Sequence, residues 1–161
     1  MKAFNEIHKI LIAVEDSQYS ARATEYGIDL AKKLGAEIAL LHVNELPVAT
    51  PYVADPLMNE PPIMMPEMVH AQEDASKKLL NKIAESIAEE TTVYTFHKIG
   101  NPKDEILNTA EEWDADMIIL GTHGRTGLDH FISGSVAEKV ARKAHCPVLI
   151  IPNKDSTENQ H

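Results

Sequence analysis

The sequence contains little that would cross-link the chain or carry it into a membrane. Only one of its 161 residues is cysteine, which excludes an intramolecular disulfide framework and a cysteine-rich zinc site. No apolar run approaches the roughly 18 residues of a transmembrane helix. The amino terminus lacks a basic stretch leading into an apolar core, so we expect no signal peptide. Together these absences predict a cytoplasmic protein.

Positive charge is also scarce. The chain has 15 Lys and Arg against 25 Asp and Glu, a formal net charge of -10. Affinity for nucleic acid or anionic membrane depends on a basic surface that releases counterions. We therefore expect neither nucleic acid nor a membrane as a partner. The length suits one domain, since domains commonly run to roughly 100–150 residues.

Short apolar runs alternate with segments of helical spacing along the chain. The runs predict strands at 10–14, 38–43, 93–99, 117–120 and 147–152. Between them, apolar residues recur at helical spacing after Ser17, from about 67 to 89, after Pro102, and after Ser135. Ser17 and Asn101 are predicted N-caps, and Gly35 is a predicted helix terminator. Strands that alternate with helices predict an α/β fold with a parallel sheet covered on both faces.

Two segments interrupt this pattern. Residues 44–66 hold six of the nine prolines, so neither helix nor strand is expected to persist there. A loop of this length is either a lid or contact surface or a flexible insertion, and both interpretations stay open. Residues 153–161 contain no apolar side chain and are predicted to be disordered. The prediction is therefore one domain, residues 1–152, followed by a polar tail.

A glycine-rich segment, residues 121–135, follows the fourth strand and precedes a helix. In that position backbone N–H groups and the helix dipole form an anion site, and glycine permits close approach of the ligand. The segment is not a P-loop, because no Gly-Lys-Ser or Gly-Lys-Thr follows. It is not a dinucleotide fingerprint either, because Gly-x-Gly-x-x-Gly does not occur.

The spacing Gly121-x2-Gly124-x9-Gly134-Ser135 resembles the nucleotide-binding signature of the ATP-binding branch of the universal stress protein family. The sequences of 133–140 and 146–151 are also similar to that family's closing helix and strand. The resemblance implies a Rossmann-like five-stranded sheet of order 3-2-1-4-5 and a homodimer. It also implies ATP, or AMP or ADP, with Mg²⁺ brought by the nucleotide.

Carried over residue by residue, the resemblance predicts nucleotide contacts at Ala13, Val14, Glu15, Val43, Leu120, Gly121, His123, Gly124, Arg125, Gly134, Ser135 and Val136. Val43 would meet adenine through its backbone, and Gly134 and Ser135 would bind phosphate oxygens. Glu15 stands where the family usually has Asp, and Asp16 is an alternative for its role. Arg125 is expected either to reach phosphate or to offset surface acid. No catalytic residue and no intrinsic metal site are predicted.

Several other polar residues have a simpler interpretation. His123 is more readily a solvent-facing histidine than a phosphate donor, and His42, inside an apolar run, is expected to be a core residue. Cys146 is expected to pack as a small hydrophobe. Asp114 and Asp116, which flank the start of the fourth strand, are expected to be solvated acids.

The fifth strand would be an edge of the predicted sheet, and a bare apolar edge invites pairing. Two copies joined through Val148–Ile151 would close it, which supports a homodimer. The leading hypothesis is a nucleotide-dependent stress-response or regulatory module with an unidentified protein partner. The alternatives are a slow ATPase or nucleotidyl-transferring enzyme on the same fold, or a dimeric adaptor that binds no nucleotide.

Overall fold

The computed structural model describes residues 2–17, 21–45, 66–122 and 135–152. After a 3-10 turn at Phe4–Glu6, the elements are β1 Lys9–Ala13, α1 Ala21–Leu34, β2 Glu37–Asn44, α2 Pro66–Ile87, β3 Val93–Ile99, α3 Pro102–Glu112, β4 Met117–Gly121, α4 Val136–Lys143 and β5 Val148–Ile151. All five predicted strands and the helices between them are present, with bounds that differ from the predictions by a few residues. None of the helices in these ranges is long and apolar enough to cross a bilayer.

The strands form one parallel sheet of order β3-β2-β1-β4-β5. β1 lies at its centre, with Ala13 opposite Leu41 of β2 and Ile12 opposite Ile119 of β4. The predicted α/β class and the strand order 3-2-1-4-5 are therefore confirmed. Because all strands run the same way, the loops that follow β1, β2 and β4 leave from one edge of the sheet, here called the carboxyl edge.

Alternate strand residues pack into two apolar layers, as expected for strands buried on both faces. One layer joins Ile10, Ile12 and Ile38 to α1 and α2, and the other joins Leu11, Leu41 and Ile118 to α3 and α4. Gly27 allows α1 to lie close to the sheet, because a Cβ there would come within 2.8 Å of the Ile12 side chain. This close packing fixes the distance between α1 and the sheet.

Two of the three predicted helix boundaries, one C-terminal and one N-terminal, are confirmed. Gly35 follows α1 with φ +65°, a conformation that an L side chain rarely adopts. Asn101 caps α3, its side chain accepting a hydrogen bond from the Asp104 N–H at 3.3 Å, and Pro102 follows at the first helical position. The predicted cap at Ser17 depends on residues 18–20, and the proline-rich loop and the tail fall largely on 46–65 and 153–161. These three predictions lie outside the described residues.

The expectation that Asp114 and Asp116 are both solvated is wrong for Asp116. Asp114 is exposed, with φ 58°. Asp116 is only 7% exposed, because its carboxylate accepts hydrogen bonds from the Lys2 ammonium and from the backbone N–H groups of His8 and Lys9, at 2.6, 2.8 and 3.0 Å. The acid therefore joins the start of β4 to the segment that enters β1. No periodicity in the sequence distinguishes such an acid from a solvated one.

The other two structural expectations are confirmed. His42 is 3% exposed within β2. Cys146 is half-buried and packs against the apolar layer beneath α3 and α4. Burial, and the nearby Asp116 charge, raise the pKa of the Cys146 thiol, as expected for a cysteine that packs as a hydrophobe.

Candidate functional site

The candidate site is the carboxyl edge of the sheet, where parallel α/β folds bind ligands. Eight of the twelve predicted contact residues are described, and the parallel topology brings them to this edge. They are Ala13, Val14, Glu15, Val43, Leu120, Gly121, Ser135 and Val136. The other four, His123, Gly124, Arg125 and Gly134, lie outside the described residues.

Four of these residues belong to one apolar surface, here called the apolar wall. Ala13, Val43, Leu120 and Val136 all belong to or pack against the layer under α3 and α4. Ala13 and Leu120 are buried, whereas Val43 and Val136 are half-buried and keep part of their side chains accessible. Val14, one residue after β1, packs into the opposite layer. The wall thus offers a partly open apolar surface at the ends of three strands and one helix.

The sheet holds the backbone on both sides of the wall. The Val14 N–H donates to the Leu41 carbonyl at 2.7 Å, and the Thr122 N–H donates to the Ile151 carbonyl at 3.1 Å. Glu15 and Gly121, next to these points, are both half-buried. These hydrogen bonds keep the chain in the sheet for one residue beyond the ends of β1 and β4.

The amino end of α4 supplies the polar part of the site. Ser135 is its N-cap, and the hydroxyl accepts a hydrogen bond from the Glu138 N–H at 3.2 Å. That hydroxyl still has its own proton to donate. Glu138 in the first turn receives two hydrogen bonds from Arg142, at 3.0 and 2.8 Å. The remaining N–H groups of the first turn, together with the helix dipole, favour an anion at this point.

The sequence did not assign a role to the polar cluster beside this edge. Asn44 ends β2 and is 5% exposed, in contact with Ser76 of α2 and His97 of β3. The burial of Ser76 could have been predicted from the sequence. Ser76 lies four residues before Leu80, on the helix face that Leu80 and Ile87 bury. A small polar residue in an apolar stripe indicates a buried hydrogen-bonding group.

The opposite, amino edge of the sheet holds a cavity of about 520 Å³. It lies between the ends of α3 and α4, and its lining includes Leu107, Ala110, Asp116 and Cys146. This cavity is therefore separate from the candidate site at the carboxyl edge. Among the described residues, no group of three or more His, Cys, Asp or Glu side chains is placed to hold a metal ion.

Comparison with known proteins gives a consistent result. A model of the Universal stress protein family matches residues 6–152. The chain is 34% identical to Universal stress protein MJ0531 of Methanocaldococcus jannaschii over 153 residues, covering 94% of this chain and 86% of that protein. It is 33% identical to Universal stress protein YxiE of Bacillus subtilis over 145 residues, covering 89% of this chain and 98% of that protein.

Solved structures show the same architecture. The structure of protein MJ0577 of Methanocaldococcus jannaschii superimposes with a TM-score of 0.72 at 26% identity, covering 93% of this chain and 99% of that one. A universal stress protein in complex with cAMP gives 0.66 at 19% identity, covering 92% and 98%. The Archaeoglobus fulgidus protein in complex with dAMP gives 0.58 at 20% identity, covering 89% and 97%. At these identities, the last two likenesses show the fold.

Proposed function

The chain belongs to the universal stress protein family, and we propose that it binds an adenine nucleotide across the carboxyl ends of β1, β2 and β4. One observation carries the proposal: the apolar wall of Ala13, Val43, Leu120 and Val136 lies next to the amino end of α4. An apolar surface beside a cluster of N–H donors suits a ligand with a flat apolar base at one end and phosphate at the other.

The base and the ribose are assigned to the strand ends. Adenine lies against the apolar wall, with its polar edge toward the backbone of Val43. Glu15, half-buried directly after β1, accepts a hydrogen bond from the ribose or the base. The Glu15 side chain is one methylene longer than the Asp that the family usually has there, and Asp16, which is exposed, is the alternative acceptor.

The phosphates are assigned to the amino end of α4 and the glycine segment before it. Gly124 and Gly134 give backbone N–H groups without a side chain in the way, and Ser135 donates its hydroxyl proton. Three or four charge-assisted hydrogen bonds at about 1.5–3 kcal/mol each contribute about 5–12 kcal/mol, which together with a buried base can exceed the roughly 8 kcal/mol of micromolar binding before ordering costs. Micromolar affinity is the expected range.

The ligands of two solved relatives support an adenine nucleotide as the ligand class. Two family members of this fold were solved with cAMP and with dAMP, both adenine nucleotides. The preference for ATP with Mg²⁺ is our narrower proposal. With a net charge of -10, the chain repels a free polyanion, so Mg²⁺ is expected to strengthen binding by offsetting phosphate charge.

We assign the protein a regulatory role in the cytoplasm, with nucleotide occupancy changing the loops at the carboxyl edge and hence the choice of a protein partner. The active form is a homodimer joined through β5, which is paired only with β4 in the part of the chain that the structure describes. Light scattering of the purified protein measures this directly, and a monomeric mass at micromolar concentration would contradict it.

Calorimetric titration with ATP and AMP, with and without Mg²⁺, tests the proposed function. We expect a dissociation constant in the micromolar range for ATP with Mg²⁺, and weaker binding without the metal. Absence of binding at millimolar nucleotide would leave the nucleotide-free adaptor as the better description. Single-turnover assay of bound ATP separates binding from catalysis, because release faster than the buffer control would identify a slow ATPase.

The variant Gly124→Val tests the placement of the phosphates. A branched side chain in the glycine segment is expected to block ATP by steric exclusion and to abolish measurable binding. The far-ultraviolet circular dichroism and the midpoint of thermal unfolding should stay as in the unmodified protein. Unchanged ATP affinity in a folded variant would place the phosphates elsewhere.

A further inference from the structure

The polar cluster at the end of β2 joins three elements through one side chain. The Asn44 amide nitrogen donates to the Ser76 hydroxyl at 2.8 Å and lies 3.0 Å from Nε2 of His97. The Ser76 hydroxyl donates in turn to the Gln72 carbonyl at 2.8 Å. Asn44 and Ser76 are 5% and 3% exposed, so neither group can exchange its partner for bulk water. Asn44 therefore ties β2 to β3 and α2.

The same residue is next to the proposed adenine contact. Asn44 directly follows Val43, and its carbonyl accepts a hydrogen bond from the Gly100 N–H at 2.9 Å, beyond the end of β3. The Val43 peptide is thus held between the sheet and a side chain fixed on the α2 face. A shift of Asn44 moves the backbone that would meet the base.

The contact with His97 depends on the protonation state of the imidazole. With the Asn44 amide nitrogen as the donor, Nε2 of His97 is the acceptor, and this contact requires a neutral ring with its proton on Nδ1. In the imidazolium both nitrogens carry protons, and two N–H groups would face each other. Rotating the amide would let its oxygen accept from the imidazolium, but the Ser76 hydroxyl would then have to leave the Gln72 carbonyl to donate to Asn44, so the present network is lost in either case.

Titratable groups from two neighbouring elements lie around His97. From α2, the Glu73 carboxylate lies close enough to interact with both His97 and the exposed His70. The pKa of Glu73 is lowered, chiefly by its hydrogen bond and ion pair with Lys77 at 2.8 Å, so this carboxylate is charged at neutral pH. From β2, the buried His42 is the cross-strand neighbour of His97. A neutral His97 is held by Asn44, whereas a protonated one is drawn toward Glu73.

We propose that Asn44 is a positioning residue for the nucleotide edge and that His97 is its proton-sensitive partner, so that acidification loosens the end of β2 and weakens nucleotide binding. This inference rests on the proposed nucleotide function. Loss of one hydrogen bond predicts that affinity falls about three- to tenfold when His97 becomes charged.

The test is the affinity for AMP between pH 8 and pH 5.5 in three proteins. The phosphate of AMP titrates in the same range, but that contribution is common to all of them and cancels in ratios. In His97→Gln the amide oxygen can accept from Asn44 at every pH, so we expect its affinity at pH 5.5 to exceed that of the unmodified protein three- to tenfold. His70→Gln, an exposed histidine of α2, should retain the unmodified pH dependence.

The variant Asn44→Asp should show the opposite pH dependence of nucleotide affinity. In Asn44→Asp the carboxylate accepts from protonated His97, but it cannot donate to Nε2 of neutral His97 as the amide does. Relative to the unmodified protein, its affinity should be lower at pH 8 and should recover as the pH falls. Identical pH profiles in the unmodified protein and in His97→Gln would overturn the inference while leaving nucleotide binding intact.

A measurement without nucleotide separates the two proposals. The nitrogen-15 shifts of the His97 imidazole at pH 8 should report an unprotonated Nε2 in the unmodified protein, and this signature should change in Asn44→Ala. If no nucleotide binds at any pH, the proposed function fails, and the inferred link to the ligand fails with it. A protonated Nε2 at pH 8 would refute the Asn44 contact itself.

Discussion

The two edges of the sheet use their polar groups in opposite ways. At the amino edge, Asp116 is buried, and its carboxylate accepts hydrogen bonds from Lys2 and His8, before β1, and from Lys9, its first residue. At the carboxyl edge, the polar groups are backbone N–H groups and a cap hydroxyl at the start of α4, beside the half-buried Val43 and Val136. At the amino edge the charge is paired within the protein, whereas at the carboxyl edge we assign the N–H groups and the hydroxyl to a ligand.

The comparison shows why burial alone does not identify a functional acid. Burial raises the pKa of Asp116, but hydrogen bonds from Lys2, His8 and Lys9 and the Lys2 charge outweigh it, and the net effect is a lowered pKa. Because the Asp116 carboxylate already accepts three hydrogen bonds within the protein, we assign it a structural role. The apolar wall at the carboxyl edge contains no charged residue, and we propose that the charge at this edge comes from the ligand.

The largest expected effect is on stability at the amino edge. Asp116→Asn should lower the free energy of unfolding by about 2–3 kcal/mol, because hydrogen bonds to a buried charged acceptor are lost or weakened. Asp114→Asn is the matched control: it removes the same charge two residues away, at an exposed position whose positive φ asparagine also adopts. Urea unfolding of both variants measures the difference, and equal losses would contradict the account of Asp116.

The loss of stability in Asp116→Asn should itself depend on pH. Since the folded pKa of Asp116 is below its ordinary value of about 3.9, its stabilisation is complete above that value and is lost as the pH falls through the folded pKa. The deficit of Asp116→Asn should therefore be full at pH 7 and should shrink below about pH 4. A deficit that stayed constant down to pH 2 would show that the carboxylate charge is not responsible.

An intermediate effect is expected from the two helix caps at the carboxyl edge. Ser135→Ala and Asn101→Ala each remove a side-chain cap and should each lower the free energy of unfolding by about 1 kcal/mol. Only Ser135→Ala should also weaken ATP binding, by severalfold, since Ser135 begins the helix assigned to phosphate. Calorimetric titration of both variants checks this. Equal affinities in the two variants would remove Ser135 from the site.

Most of the fold could be predicted from the sequence because the strands are buried on both faces. Such strands appear as continuous apolar runs, and the caps and terminators between them, Gly35 and Asn101, act locally. The order of the strands came from the family resemblance. Alternation of strands and helices alone is compatible with several orders.

The candidate site was less predictable, because its parts come from distant segments. Ala13, Val43, Leu120 and Val136 were named by resemblance, but their membership of one layer depends on strand register and helix packing. The contact of Asn44 with His97 likewise follows from the pairing of β2 with β3. The burial of Asp116 depends on a segment more than 100 residues away in the chain. No local pattern encodes contacts of this kind.

The smallest expected effect is at Cys146, on the wall of the amino-edge cavity. Burial raises the pKa of its thiol, so alkylation at pH 7 should be slower than that of free cysteine and should speed up as the pH rises. Because the chain has a single cysteine, the mass after iodoacetamide treatment reports this site alone. Saturating ATP with Mg²⁺ should leave the alkylation rate unchanged, because the proposed nucleotide binds at the opposite edge of the sheet. Protection by ATP would mean that the nucleotide enters the amino-edge cavity or that the two edges are coupled, and either result would end the separation of roles argued from Asp116.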